Sequence, residues 1–133
     1  MSIMIDSLND VQIYELGVRC VEEKKNEEAI YFFKYILQKY ESCEYIYDVY
    51  SRLGRCYCYK KNWKESLYYH KKAVDLSKYN NFTYFGLARV YFFMKEYSKA
   101  IDIAQIILKN APENKDAYII LGGLYRLTGE NQK

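Results

Sequence analysis

The stretch YSRLGRCYCYKKNWKESLYYHKKA, from Tyr50 to Ala73, gathers the side chains best suited to chemistry. Cys56 and Cys58 stand one residue apart, His70 is the sole histidine of the chain, and two Lys-Lys pairs lie among tyrosines. Two thiols and an imidazole could hold a metal, and a thiol beside an imidazole could act as a nucleophile. The spacing argues against both. On a helix Cys56 and Cys58 are about 200° apart, so their sulfurs point to nearly opposite sides and chelate one ion poorly. A metal site would want a second cluster or further histidines at short spacing. A catalytic triad needs its histidine beside a nucleophile, and His70 falls where it would face the interior of a helix pair. The glycines of LGGLYRLTGE lack the GK[ST] ending of a phosphate loop. Glu22-Glu23 and Glu27-Glu28 flank an exposed turn, where carboxylates are solvated charges. The chain is expected to be no enzyme, with no cofactor and no metal.

Composition narrows the class. With 133 residues, 50% hydrophobic and 28% charged, the chain can bury a core and stay soluble. One proline and six glycines are too few for a turn-dense β-sandwich, which leaves a helical reading. A net charge of +3 falls short of the basic excess of a nucleic-acid domain. The Lys60-Lys61 and Lys71-Lys72 pairs read as solvent-facing charge at helix ends or outer faces. MSIMIDSLND carries Asp6 and Asp10 where a secretory signal would be basic and then apolar, and no window approaches the roughly 18 apolar residues of a membrane span. The expectation is a cytoplasmic protein with no membrane contact, its four cysteines (Cys20, Cys43, Cys56, Cys58) reduced.

A repeat organises these residues. YSRLGRCYCYKKNWKESL from Tyr50, YFGLARVYFFMKEYSKAI from Tyr84 and YIILGGLYRLTGENQK from Tyr118 align without gaps at intervals of 34 residues. Each has Leu at the fourth residue (Leu53, Leu87, Leu121), then a small residue (Gly54, Ala88, Gly122), then Tyr three further on (Tyr57, Tyr91, Tyr125). A weaker copy upstream has Ile13, Leu16, Gly17 and Cys20, followed by Ala29 and Phe33. Numbered from the start of each repeat, positions 4, 7, 8 and 11 share one face of a helix, and the small residue at position 8 admits a second helix. Helices are expected at about 10–24, 27–40, 47–60, 63–77, 81–94, 97–110 and 115–128, with Asn26, Asn62 and Glu113-Asn114 as polar starts.

The pattern resembles the tetratricopeptide repeat (TPR), whose unit is an antiparallel helix pair with Leu-Gly, Tyr, Ala, an aromatic, Ala and Pro at set places. Tyr84, Leu87, Ala88, Tyr91, Ala100, Ala104, Ile107 and Pro112 follow that order, with Ala104 replacing the aromatic. Ser66 and His70 depart from the Ala and aromatic of the second repeat. The resemblance covers about residues 10 to 133. It implies an all-α solenoid of stacked antiparallel helix pairs in a right-handed superhelix, about 3.5 repeats and seven helices. One domain would span residues 1–133, with repeats at about 10–43, 47–80, 81–114 and a partial 115–133. The period breaks off inside the fourth repeat, which reads as a piece of a longer protein.

In such a solenoid positions 2, 5, 6, 9, 12 and 13 of each first helix line the concave face. In the second repeat these include Ser51, Arg52, Arg55, Cys58 and Tyr59, in the third Phe82, Phe85, Gly86, Arg89, Phe92 and Phe93, and in the fourth Ile119, Ile120, Arg126 and Leu127. Arginine grips carboxylates bidentately and aromatic rings supply anchor area. Arg52, Arg55, Tyr59, Phe85, Arg89, Phe92 and Arg126 therefore suit a peptide or protein segment with acidic and apolar side chains, and the resemblance implies a protein-protein interaction scaffold. Some members of the family hold chaperone C-termini with a carboxylate clamp. At the matching positions this chain has Tyr14, Val18, Arg52, Phe82 and Gly86, so that clamp is not inherited. The rival reading is an assembly module that forms a homo-oligomer, or continues into a larger complex subunit, through Tyr118, Ile119, Leu124 and Tyr125 of the last helix.

Overall fold

The computed structural model describes residues 5–40, 44–77 and 80–129, and Cys43 lies outside the described residues. A 3-10 turn at Ile5–Ser7 leads into seven helices: α1 (Asp10–Glu22), α2 (Asn26–Lys39), α3 (Ile46–Tyr59), α4 (Trp63–Leu76), α5 (Asn81–Phe93), α6 (Tyr97–Asn110) and α7 (Lys115–Thr128). Among the described residues there is no strand. Every helix lies within about two residues of its expected bounds. The helices pack as consecutive pairs, α1 on α2, α3 on α4 and α5 on α6, and each pair packs on the next, with α7 on α6.

The first two pairs close with a ring of the second helix on a glycine of the first, whereas α5 and α6 carry Ala88 and Ala104 at the matching positions. A Cβ on Gly17 would stand 2.7 Å from the Phe33 ring, and one on Gly54 would stand 2.6 Å from the His70 ring. Both are the small residue of position 8, so the spacing of the repeat is the spacing of this contact. Gly122, at the same position of α7, meets nothing within 4 Å.

Two apolar clusters result. One holds Ile13, Cys20, Phe33, Ile36, Val49, Leu53 and Cys56, and the other holds Cys58, Leu87, Val90, Ala100, Ala104, Leu121 and Leu124. Between them lies a polar layer of fully buried Ser66 and nearly buried His70. The two departures from the repeat pattern form this layer. The Ser66 hydroxyl donates to the Gly54 carbonyl at 2.7 Å, which satisfies it at the helix crossing.

Asparagines start most of the helices. Asn9 forms a capping box with Gln12, and the side chains of Asn62, Asn80 and Asn114 accept from the first turns of α4, α5 and α7. Asn26 does not act as a start. The residue before α2 is Lys25, which makes no side-chain cap, and the Asn26 Oδ1 is buried without a partner. The turns within the pairs repeat as well. Lys24, Lys61 and Lys95 have φ of 62°, 62° and 65°, and the next N–H reaches back to the carbonyls of Cys20, Tyr57 and Tyr91 at 2.7–2.9 Å. These are Schellman closures with lysine in the left-handed position that glycine occupies at least cost.

Opposite substitutions test this account. Gly17→Ala forces a methyl into the buried Phe33 ring and should cost about 1–3 kcal/mol. Lys61→Gly removes the left-handed penalty and should gain about 0.5–1 kcal/mol. Urea denaturation of both variants measures the two shifts.

Candidate functional site

The first helices α1, α3, α5 and α7 line up three successive hollows along one face. Val18, Val21, Glu22, Arg52, Arg55 and Tyr59 border one of about 700 Å³ between α1 and α3. Ser51, Arg55, His70, Phe85, Gly86 and Arg89 border one of about 60 Å³ between α3 and α5. Phe92, Phe93, Ile119, Ile120, Arg126 and Leu127 border one of about 580 Å³ between α5 and α7. The sizes follow from the helix approach. α3 packs directly on α5, where Ser51 faces the bare Gly86, whereas α1 does not approach α3 as closely, nor α5 approach α7.

All seven residues singled out in the sequence border these hollows, and Arg55 and Arg89 share the narrow one. The four arginines are not equivalent. Arg52 Nε donates to the Tyr14 hydroxyl at 2.9 Å and to Asp48 at 3.3 Å, and its guanidinium lies 5.6 Å from the Tyr14 ring centroid. Tyr14 itself donates to Asp48. Burial, then the Asp48 carboxylate beside it, pushes the Tyr14 hydroxyl up to about 12. This triad ties α1 to α3 and neutralises Arg52. Arg55 donates through Nε to the Tyr59 hydroxyl at 3.0 Å, which leaves its terminal nitrogens available. Arg89 and Arg126 make no hydrogen bond or ion pair among the described residues.

Three residues expected on this face are buried, two of them at the edge of the narrow hollow. Cys58 is buried in the second apolar cluster against Leu87 and Val90. Ser51 and Gly86 are buried where α3 meets α5. Cys56 faces the first cluster, so the two thiols of α3 point into different halves of the core. Burial pushes Cys56 up to about 12 and raises Cys58, which makes both poor nucleophiles. Among the described residues no three His, Cys, Asp or Glu side chains gather as a metal would require, and no helix is long and apolar enough to cross a membrane.

His70 is the residue whose place in this face the sequence reading did not foresee. Its ring packs on Gly54 as an aromatic would, yet it also reaches the narrow hollow, at 3% exposure and with Nδ1 lacking a partner. The signal was Gly86, which stands where the preceding repeat has Arg52 and leaves the imidazole edge uncovered.

This architecture is an α-solenoid of stacked helix pairs with a concave face lined by arginine and aromatic side chains. More particularly, it is the tetratricopeptide-repeat fold, shared with several solved structures. A crystal structure of MamA superposes with a TM-score of 0.82 at 21% identity, over 96% of this chain and 73% of that one. A tetratricopeptide repeat protein from Parabacteroides merdae gives 0.81 at 20% identity over 91% of this chain, which spans about half of that protein (47%). The first TPR of Spaghetti (RPAP3), bound to the HSP90 peptide SRMEEVD, gives 0.79 at 17% identity over 90% and 95% of the two chains. No protein-family model and no curated protein matches the sequence.

The buried imidazole makes stability depend on pH. Burial, then the charges of Arg89 and Arg55, lower His70 from 6.5 to about 4. Between these values the unfolded chain takes up a proton that the folded chain refuses, so stability falls as pH drops from 6.5 and levels off below 4 for this group. The loss is on the order of 3 kcal/mol. His70→Phe, which copies the Phe33 arrangement, should remove this share of the slope, as measured by urea midpoints from pH 7 to pH 4.

Proposed function

We propose that the chain is a non-enzymatic scaffold that binds an acidic and apolar segment of a protein partner along its concave face. The observation that carries this reading is the alignment of the hollows, in which Arg89 and Arg126 lack partners while Phe92, Phe93, Ile119 and Leu127 leave apolar surface open between them. Carboxylates of the segment would meet Arg55 and Arg89, and a large apolar side chain would enter the 580 Å³ hollow between α5 and α7. Arg52 contributes less than the other three, because Asp48 already compensates it. The Spaghetti neighbour, bound to a peptide rich in Glu and Asp, lends support by fold. Its ligand is not transferred, since Tyr14, Val18, Arg52, Phe82 and Gly86 do not make the carboxylate clamp. The buried free thiols of Cys20, Cys56 and Cys58 favour a cytoplasmic chain. The reading treats residues 1–133 as one domain of repeats.

Assembly through α7 is a second reading. Tyr118 and Ile119 are 56% and 72% exposed, which favours it. Leu124 cannot take part because it is already buried on α6, and half-buried Tyr125 accepts a hydrogen bond from Gln105 at 3.2 Å.

Charge reversal separates the two. Arg55→Glu with Arg89→Glu should weaken capture of an acidic partner from lysate at least about tenfold, with helicity and solution mass unchanged. If capture is indifferent to the reversal while Tyr118→Glu with Ile119→Glu lowers the solution mass, assembly through α7 is the function instead.

A further inference from the structure

The narrow hollow between α3 and α5 differs in kind from its two neighbours. At about 60 Å³ it has room for a carboxylate or a few waters, and not for a large side chain. It is bordered by Arg52, Arg55 and Arg89, by Phe82 and Phe85, and by His70 beside Ser51 and Gly86. A Cβ on Gly86 would stand 2.8 Å from His70 Nδ1 and 3.2 Å from Ser51 Oγ, so the imidazole edge, the serine hydroxyl and the bare glycine converge on one spot. His70 is 97% buried by its 3% exposure, and its Nδ1 has no partner. A buried ring nitrogen left unpaired is costly, and the neutral imidazole can carry its proton on Nδ1 when an acceptor is offered there. That cost is recovered when an acceptor arrives. Among the described residues no carboxylate borders this hollow, whereas Arg55, Arg89 and the Asp48-paired Arg52 do.

We infer that this hollow is a seat for one carboxylate of the bound segment, gripped from the sides by Arg55 and Arg89 and from below by the Nδ1–H of His70 and the Ser51 hydroxyl. The inference rests on the groove reading and sharpens it. The wider hollows take bulk, while this one takes a single negative charge in a fixed place. An Asp or Glu side chain, or a C-terminal carboxylate, would fit. A phosphate, with more oxygens and greater volume, would not sit within the same walls. Gly86 is the positioning residue, because any side chain there fills the spot above Nδ1.

The sole histidine makes the test direct. Sodium acetate is titrated at pH 7 into the ¹⁵N-labelled 133-residue protein against sodium chloride at equal ionic strength, and the imidazole nitrogen and carbon-bound proton signals are followed by NMR. Acetate should shift the His70 signals saturably, and chloride should not. Gly86→Ala and Arg89→Met should each weaken the acetate response at least about fivefold, while Lys71→Met on the outer face leaves it unchanged. If Gly86→Ala fails to fold, Arg89→Met, a change at an exposed side chain, decides alone. The seat is overturned if acetate shifts His70 no more than chloride, or if the shift survives in Arg89→Met. Its failure is distinct from that of the groove reading, because capture of an acidic partner could still vanish on reversal of Arg55 and Arg89 with no response of His70 to acetate. Acetate bound at the seat with partner capture indifferent to that reversal would retain the seat and reject the groove.

Discussion

A ring of one helix laid on a glycine of its partner sets the geometry of the first two helix pairs. Phe33 on Gly17 and His70 on Gly54 bring the axes of a pair close enough that Leu, Val and Ala side chains of both helices interlock around them. The angle and separation fixed there decide how the next pair docks, since each pair leaves one apolar flank uncovered. The concave face is a consequence. Residues one period apart, such as Arg55 and Arg89, come into line because the helix pairs stack one on the next at a constant period of 34 residues.

Departures from that regularity give the face its chemical variety. Ser51 and Gly86 draw α3 and α5 together and pinch the space between them to about 60 Å³, while the spaces on either side remain ten times larger or about that. Tyr14, Asp48 and Arg52 form a closed hydrogen-bonded unit that ties α1 to α3 and removes one positive charge from play. Four arginines of equal sequence weight thus become one structural clamp, Arg52, one group held through Nε by Tyr59, Arg55, and two open groups, Arg89 and Arg126. A partly buried ion pair of this sort adds specificity of placement more than stability.

The elements were legible because their signal is periodic. Glycine, leucine and tyrosine recur at fixed intervals, and a helix period of 3.6 residues admits few other arrangements of them. The loop chemistry was less legible. Lys24, Lys61 and Lys95 adopt left-handed backbone that composition does not announce, since the residue expected there is glycine or asparagine. Asn26 looked like a start signal but falls one residue inside α2, and Lys25 precedes it with no cap. On the concave face, positions along a helix could be counted but distances between helices could not. Cys58 was therefore placed in the groove, although it is buried in the second cluster, and His70 was assigned to packing alone because its second edge opens only where α5 carries Gly86.

The polar layer of Ser66 and His70 has a consequence for motion. The buried apolar residues fall into two clusters, one drawn from α1, α2 and α3 and the other from α5, α6 and α7 with Cys58 of α3, while Ser66 and His70 of α4 are buried polar groups. In a stacked array, where each unit touches only its neighbours, a weak junction limits how far cooperativity spreads. Amide exchange in this chain should therefore divide into two blocks that open with different free energies, with the boundary at α3 and α4. The three hollows cross that boundary, so a segment bound along them as proposed would join the two halves and raise the opening free energy of both.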